Sequence, residues 1–202
     1  MITDRLEKQI GFLIEVDKLK QVLRQSFLTD GQRRENDAEH SWHLALMVLL
    51  LSEYSKEHID VLRVVKMVLI HDLVEIDAGD TFAYDVSGNE TKEAREHQAA
   101  DRIFNLLPED WAGEVFDLWN EFEARNTPEA RFAAALDRFQ PILLNYHAGG
   151  KTWLNHDISK TQVMERNRHM AEGAPDLWTY AKDLIERAVE EGYLRVESSE
   201  ER

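Results

Sequence analysis

The stretch VLIHDLVEIDAGD, residues 68–80, combines an apolar pattern with charged side chains. Its valines, leucines and isoleucines predict a helix packed into a core. A charged side chain in a core is costly unless it is paired, hydrogen-bonded or bound to a metal. The stretch nevertheless holds five ionisable residues, which are His71, Asp72, Glu75, Asp77 and Asp80. The fold and function of the chain must account for these ionisable residues in an apolar stretch.

A helix over residues 60–78 would have two polar faces, because each residue turns the chain by about 100°. One face, which includes Asp77, carries both signs of charge and is typical of a solvent-exposed surface. The other face carries His71, Asp72 and Glu75. A hydrogen-bonded surface patch is the simplest interpretation of one such cluster taken alone.

The whole chain predicts a single all-α domain. It has 202 residues, of which 43% are hydrophobic, so it is long enough to bury a sizeable core. Its 9 glycines and 4 prolines are too few for a β-protein rich in turns. We expect a compact helical bundle within residues 1–192, a solvated tail at 193–202, and Asp37 as the N-cap of the second helix. The roughly eight predicted helices cover about 3–24, 38–55, 60–78, 91–106, 109–125, 129–147, 159–172 and 175–191.

The composition restricts the partners of the protein. The formal net charge is −15, and so acidic a surface repels phosphate backbones, so we expect no nucleic acid partner. A small anionic substrate stays compatible, because a metal or a local basic cluster can reverse the field inside one pocket. The chain has no cysteine, so any metal must be held by His, Asp or Glu. We see neither a signal peptide nor a membrane-spanning run, and expect a cytoplasmic protein.

Two other predicted helices also carry polar side chains on apolar faces. In AEHSWHLALMVLLL, residues 38–51, His40 and His43 occupy the first turns of a helix that is apolar on nearly every side. In EARFAAALDRFQPILL, residues 129–144, Asp137 lies on the apolar stripe. Histidines satisfied inside a core, and an ion pair between Asp137 and an arginine of another helix, are the ordinary explanations.

A metal site would explain all of these anomalies together. Three buried helices contribute two imidazoles and two carboxylates, and one bound cation would offset the cost of burying the four groups. Mixed nitrogen and oxygen ligands suit Zn, Mn, Fe or Co better than Ca or Mg. The candidate ligands are His40, His71, Asp72 and Asp137.

The order of these residues resembles the HD-domain superfamily of metal-dependent phosphohydrolases. Glu39-His40 is followed by His71-Asp72 about thirty residues later and by a distant Asp137. The resemblance runs from about residue 10 to 190 and is closest to the branch that contains bacterial 5′-deoxynucleotidase and its eukaryotic relatives. The motifs that carry it are RRENDAEHSWHLAL at 33–46, HDLVEIDAGD at 71–80, LWNEFEARNTPEARFAAALDRFQPIL at 118–143 and VMERN at 163–167.

The resemblance implies a role for each matching residue. It implies that His40, His71, Asp72 and Asp137 bind one divalent metal ion. Glu75 would then lie beside the attacking water, Asp80 would sit where the leaving group departs, and Arg24 would meet the phosphate or sugar. Arg33 and Arg34 are further phosphate candidates, although ordinary surface charge explains them better.

Two histidines outside the motif bear on the number of metals. His43 lies one turn from His40, and we place it behind the ligands or in the core. Binuclear members of the superfamily use extra histidines between the His-Asp pair and the last Asp. Here that interval contains only His97, on a charged helix, so we expect one metal.

The resemblance also implies a function: hydrolysis of 2′-deoxyribonucleoside 5′-monophosphates to deoxynucleoside and phosphate. Trp42 could exclude a 2′-hydroxyl, although a place in the core is the better expectation for it. The alternatives are a phosphohydrolase for another nucleotide or phosphorylated metabolite, and a catalytically silent nucleotide-binding protein stabilised by metal. The helices at 3–24 and 109–125 could form a homodimer surface, as the resemblance implies, or could simply pack internally.

Overall fold

The computed structural model describes residues 3–196, apart from the side chain of Val86, and confirms the all-α class. Within that range twelve α-helices surround one small two-stranded sheet. Eight of the helices have eight residues or more and correspond to the eight predicted segments. The long helices are α1 (Asp4–Val16), α2 (Asp37–Leu51), α3 (Val61–Ile70), α6 (Lys92–Phe104), α7 (Glu109–Ala124), α8 (Pro128–His147), α10 (Lys160–Asn167) and α12 (Pro175–Glu190). The short ones are α4 (Glu75–Ala78), α5 (Val86–Asn89), α9 (Lys151–Asn155) and α11 (Met170–Gly173).

The first predicted helix, 3–24, is too long. Helix α1 ends at Val16, a 3₁₀ turn covers Asp17–Gln21, and the chain then forms strand β1 (Leu23–Phe27). This strand pairs in antiparallel register with β2 (Arg34–Asn36). A strand whose only partner is three residues long gives almost no periodic signal, which is why helical spacing alone missed it. The sheet places Arg24 on a strand beside the centre of the molecule.

The third predicted helix, 60–78, is interrupted. Helix α3 ends at Ile70, residues 71–74 form tighter turns, and α4 begins at Glu75. The amide of Glu75 donates to the carbonyl of Asp72 at 2.9 Å, a bond between residues three apart. Gly79, with φ of 74°, ends the element in a conformation that glycine adopts at low cost. The break lets His71 and Asp72 project together into the interior.

Helix α8 is the central element of the main core. Thr127 caps it, its side chain accepting from the amide of Ala130, and Pro128 occupies the first turn, where a proline is tolerated. Fully buried residues of α2, α3 and α12 pack against it. A second, smaller cluster joins the 71–78 segment to α6 and α7. Asp137 lies near the middle of α8 and is buried.

The structure bears on two predictions about the surface, the burial of Trp42 and the tail at 193–202. Trp42 is 64% exposed, so its predicted place in the core is wrong; it lies on the outer side of α2. Of the predicted tail at 193–202, Leu194 is only 5% exposed and packs on the main core, while residues 197–202 lie outside the described part. Within the described part, every helix is too short or too polar to cross a bilayer.

Candidate metal centre

Four side chains from three elements converge at the centre of the fold. His40 comes from the first turn of α2, His71 and Asp72 from the turn after α3, and Asp137 from the middle of α8. All four are buried, with exposures of 0%, 4%, 8% and 9%. His40 Nε2 lies 3.1 Å from Asp137 Oδ1, and His71 Nε2 lies 3.1 Å from Asp72 Oδ1. Residues 97 positions apart in the chain are therefore in contact.

Both imidazoles are oriented through their other nitrogen. His71 Nδ1 lies 3.0 Å from the carbonyl oxygen of Val68, which can only accept a hydrogen bond. His40 Nδ1 lies 3.1 Å from Gln140 Oε1, which is also an acceptor. When the two Nδ1 atoms carry protons, the two Nε2 atoms present lone pairs to the cluster. This arrangement is typical of metal-ligating histidines.

The donor set fits a divalent cation. One ligand atom each from His40, His71 and Asp72 lies within 4.8 Å of the others, and Asp137 Oδ1 is 3.7 Å from His71 Nε2. His71 Nε2 is buried and has no hydrogen-bond partner among the described residues. When Nδ1 carries the proton, the Nε2 lone pair and the carboxylate oxygens that face it need a proton or a cation between them. A single ion would satisfy all four groups.

The surroundings shift the pKa values of the two histidines in opposite directions. Burial alone lowers the pKa of both. At His71 the carboxylates of Asp72 and Asp137 outweigh burial and raise the pKa to about 10. At His40 burial, assisted by the positive charge of Arg24, lowers the pKa to about 4. The cluster thus stabilises a positive charge beside two carboxylates, which is the electrostatic condition of a cation site.

Arg24 neutralises several carboxylates of the site at once. Its Nη1 donates to Asp72 Oδ2 at 2.9 Å and to Asp37 Oδ1 at 3.1 Å. Its Nη2 is 4.0 Å from Asp137 Oδ1 and its Nε is 3.8 Å from Glu35. Arg24 therefore lies in the site, as predicted, but its described partners are acidic residues of the protein itself.

Sequence reasoning missed Asp37, Glu35 and Gln140 as parts of the site. Asp37 was predicted to cap α2, but Asn36 is the cap, because its side chain accepts from the amide of Glu39. Asp37 is instead fully buried, and burial, with the nearby charge of Asp72, raises its pKa to about 7. The signal in the sequence was Asn36 itself, an equally good cap one residue earlier.

Glu75 and Asp80 face the cavity next to the cluster. Burial raises the pKa of both carboxyl groups, and the charge of Asp72 adds to the effect. Asp37, Asp72 and Glu75 also bring carboxylate oxygens within 4.8 Å of one another. The structure thus brings together all the predicted ligands and both predicted catalytic acids.

The remaining predicted residues lie outside the cavity. His43 Nδ1 is 3.3 Å from Gln140 Nε2, so it lies behind the residue that orients His40. Arg33 forms an exposed ion pair with Glu39 at 2.6 Å, as ordinary surface charge would. His97 stacks edge-to-face on Trp119, with ring centroids 5.0 Å apart.

A cavity that is open to solvent lies beside the cluster. It is lined by His71, Asp72, Glu75 and Asp80, which we call its acidic end, and also by the segment 81–84.

Comparison with known proteins gives consistent results. The family model described as HD domain matches residues 16–178. The proteins named 5′-deoxynucleotidase HDDC2 from Bos taurus and Homo sapiens are 35% and 34% identical to this chain over 135 residues. These alignments cover 66% of this chain but 64% and 65% of the relatives, so the match spans less than two thirds of their length.

A solved structure matches over nearly the full length. It is described as a predicted metal-dependent phosphohydrolase from Magnetospirillum magnetotacticum MS-1 and is 51% identical, with a TM-score of 0.92. The superposition covers 96% of this chain and 99% of that one. A protein from Pyrococcus horikoshii OT3 shares the fold alone, at 22% identity and a TM-score of 0.61. With its buried His-Asp cluster and a family match over most of its length, the chain belongs to the HD-domain family.

Proposed function

We propose that the protein is a metal-dependent phosphomonoesterase that hydrolyses 2′-deoxyribonucleoside 5′-monophosphates to deoxynucleoside and phosphate. The names of the bovine and human relatives support the substrate class. The description of the structural neighbour supports phosphoryl chemistry. The observation that carries the proposal is the pair of histidines anchored through Nδ1, with Nε2 facing two carboxylates.

Four residues would hold one divalent ion of Co, Mn, Zn or Fe: His40, His71, Asp72 and Asp137. When bound, such an ion lowers the pKa of water and polarises a phosphoryl oxygen. Val68 and Gln140 keep the two imidazoles in the ligating tautomer. Arg24 holds Asp72 in place by its 2.9 Å hydrogen bond.

The proton transfers belong to the two acids beside the ligands. Glu75 orients the attacking water or accepts its proton, because it is buried within reach of Asp72 at the acidic end of the cavity. Asp80 lies on the loop after α4 and also lines the cavity. We propose that Asp80 acts on the leaving 5′-oxygen of the substrate, to which it donates a proton or a hydrogen bond. Arg24 contacts the phosphate or sugar through the edge that lines the cavity.

The test combines metal analysis with a substrate panel. Protein purified without a histidine tag is analysed for metal and then assayed for phosphate release from deoxy- and ribonucleotides with Mn, Co, Zn and Mg. We expect one equivalent of metal and preferential hydrolysis of deoxynucleoside 5′-monophosphates. Turnover of another phosphate ester alone would support the alternative phosphohydrolase, and nucleotide binding without turnover would support the silent binding protein. Either result would refute the proposal as stated.

We also propose that the protein forms a homodimer through α1. Four large apolar residues of this helix are exposed: Leu6 at 45%, Ile10 at 48%, Leu13 at 60% and Ile14 at 69%. Helix α7, the other predicted surface, exposes Trp111 at 40% but buries most of its apolar residues. Sedimentation analysis should show a dimer that Leu13→Glu with Ile14→Glu converts to monomer; an unchanged sedimentation coefficient would exclude α1. The cytoplasmic location stays a prediction from the sequence.

A further inference from the structure

Three arginines line the same cavity as the candidate metal ligands, and one of them, Arg138, lies 3.8 Å from Asp137. Arg125 follows α7, Arg138 lies on α8 and Arg166 lies on α10. All three line the main cavity and also a shallower opening at its mouth. We call these three residues the arginine wall. Neither the proposed metal site nor the proposed proton transfers use it.

Two of the three positive charges of the arginine wall have no carboxylate partner among the described residues. Among residues 3–196, Arg125 and Arg166 have no carboxylate within 4.0 Å, and Arg138 has only Asp137, at 3.8 Å. Glu123 and Glu165 also line these cavities but form no such ion pair with the wall. Other arginines, such as Arg5 with Asp110 at 2.8 Å, have acidic partners. In a chain with 39 acidic and 24 basic residues, a cluster of cations without partners is unusual.

Several hydrogen-bond donors of the wall are also unused. The Nε atoms of Arg125 and Arg138 are buried and have no partner within the described part of the chain. Arg125 Nη1 reaches only His169 Nε2, at 3.4 Å. The guanidinium carbon of Arg166 lies 5.8 Å from the ring centroid of Tyr84. Buried donors without partners are costly, so the wall is arranged for a ligand that accepts hydrogen bonds.

The protonation states around the wall favour an anion. Burial, together with repulsion from Arg138, lowers the pKa of Arg166 to about 10, so Arg166 stays charged at neutral pH. Burial and the charges of Arg138 and Arg125 lower the pKa of His169 to about 4, so this ring is neutral. The neighbouring Tyr84 is held in its neutral form, because burial raises its pKa to about 12. The wall therefore keeps its positive charge, with Asp137 beside Arg138 as the one carboxylate that ion-pairs with it in the described part of the chain.

The backbone at Arg125 is a further sign of function. This residue ends α7 with φ of 51° and ψ of 32°, a left-handed conformation that usually selects glycine. A residue with a side chain pays conformational energy there, and such outliers cluster at functional sites. The guanidinium, which glycine would not supply, lines the cavity.

We propose that the arginine wall binds a second phosphoryl group of the substrate, carried on the nucleoside that leaves. This inference rests on the proposed function. A guanidinium presents a planar fork of donors that matches phosphate oxygens, and three of them suit a dianion. Ala83 and Tyr84 line both the cavity and the shallower opening together with the wall, whereas Asp80, where the nucleoside would depart, lines the cavity alone. The substrate class is therefore a deoxynucleoside 3′,5′-bisphosphate.

The reaction at the 5′ end would be unchanged. Water forms a new bond to the 5′ phosphorus, the bond from phosphorus to the 5′ oxygen breaks, and that oxygen takes up a proton. The products are orthophosphate and the deoxynucleoside 3′-monophosphate, whose phosphate stays on the wall until release. No oxidant or additional co-reactant is needed.

The test compares substrates by their kcat/KM on the metal-loaded enzyme. The substrates are deoxyadenosine 5′-monophosphate, 5′-diphosphate and 3′,5′-bisphosphate. We expect the wild type to prefer the 3′,5′-bisphosphate over the monophosphate by about tenfold or more, mainly through KM. In the double variant Arg125→Gln with Arg166→Gln this ratio should fall to about one. Arg168→Gln, an exposed change of equal charge next to α10, is the matched control and should keep the ratio.

A binding measurement separates this inference from the proposed function. Deoxyadenosine 3′-monophosphate carries only the second phosphoryl group, so its calorimetric affinity relative to deoxyadenosine reports on the wall without turnover. If the enzyme releases no phosphate from deoxyadenosine 5′-monophosphate, the proposed function fails, yet this affinity ratio still tests the wall. We expect a ratio of about tenfold in the wild type and its loss in the double variant.

Three results would overturn the inference. They are equal use of mono- and bisphosphate by the wild type, a preference that survives in the double variant, and a wall-dependent preference for the 5′-diphosphate instead. If the glutamine variants fail to fold, Arg125→Gly removes the guanidinium while relieving the left-handed backbone. It should fold and show the same loss of preference, as monitored by circular dichroism and kcat/KM.

Discussion

Two groups of residues that line the cavity, the acidic end and the arginine wall, differ in how their charges are compensated. At the acidic end, carboxylates and imidazoles are held by internal partners: Val68 and Gln140 fix the histidines, and Arg24 bridges Asp37 and Asp72. In the same cavity, the arginine wall has one carboxylate partner within residues 3–196, Asp137 beside Arg138, and buried Nε donors without partners there. The acidic end is preorganised for a small cation whose position must be exact to a fraction of an ångström. The arginine wall keeps hydrogen-bond donors that no described residue pairs with, which suits a ligand that binds and dissociates.

The largest expected effect comes from removing a candidate ligand at the acidic end. Asp72→Ala should abolish stoichiometric metal and lower kcat by roughly three orders of magnitude or more, because the ion is the main catalyst. Metal analysis and phosphate release measure both effects. His58→Ala, an exposed histidine, is the control and should change neither. If Asp72→Ala kept full metal, the acidic end would not be the metal site and the comparison would fail.

The next largest effect tests whether the residues that orient the ligands at the acidic end strengthen metal binding. Gln140→Leu removes the acceptor for His40 Nδ1 and should weaken metal affinity by roughly 10- to 100-fold. Gln140→Glu keeps an acceptor there and should retain more of that affinity. Competition with a chelator of known affinity gives the values. Equal metal affinity of the two variants would show that orientation of His40 does not limit binding.

Arg24 offers a direct contrast with the wall, because it lines the same cavity and has several acidic partners. Arg24→Gln should raise KM by about tenfold while metal stays bound, since Asp72 loses a neighbour but keeps its place as a ligand. Steady-state kinetics with parallel metal analysis separate the two quantities. Loss of metal with unchanged KM would make Arg24 a purely structural partner of the carboxylates.

The smallest expected effect is on the free energy of unfolding, which depends on how the fold packs around Gly150. Gly150 has φ of 70°, and an added Cβ would lie 2.4 Å from Tyr193 Cβ. Gly150→Ala should therefore lower the free energy of unfolding by about 1–3 kcal/mol. Gly113→Ala, in the interior of α7 with nothing within 4 Å, should instead raise it by up to about 1 kcal/mol. Thermal unfolding measures both; a stabilised Gly150→Ala variant would contradict the described packing.

The sequence predicted the acidic end better than the wall for a physical reason. His71 and Asp72 are ionisable residues within an apolar stretch, so burial marks them as anomalous even without a structure. Arg125, Arg138 and Arg166 follow no such pattern, because an arginine is ordinary on any helix surface. That the wall exists at all depends on how α7, α8 and α10 pack.

Local details of the fold were also beyond reach of helical periodicity. Strand β1 depends on pairing with β2, and the break after Ile70 depends on tertiary contacts of the turn. Asp37 looked like a helix cap because caps and buried carboxylates share the same residue type. Trp42 looked like core because its neighbours are apolar, yet it points outward. For Asp37 and Trp42 the residue type indicated a role, but the sequence did not indicate which way the side chain points.

The most direct test of the metal site is anomalous X-ray diffraction from crystals of the protein purified with its own metal. We predict one strong peak between the four side chains, about 2.0–2.3 Å from His40 Nε2, His71 Nε2 and the carboxylates of Asp72 and Asp137. A metal-free cluster, or an ion bound elsewhere in the chain, would contradict the account.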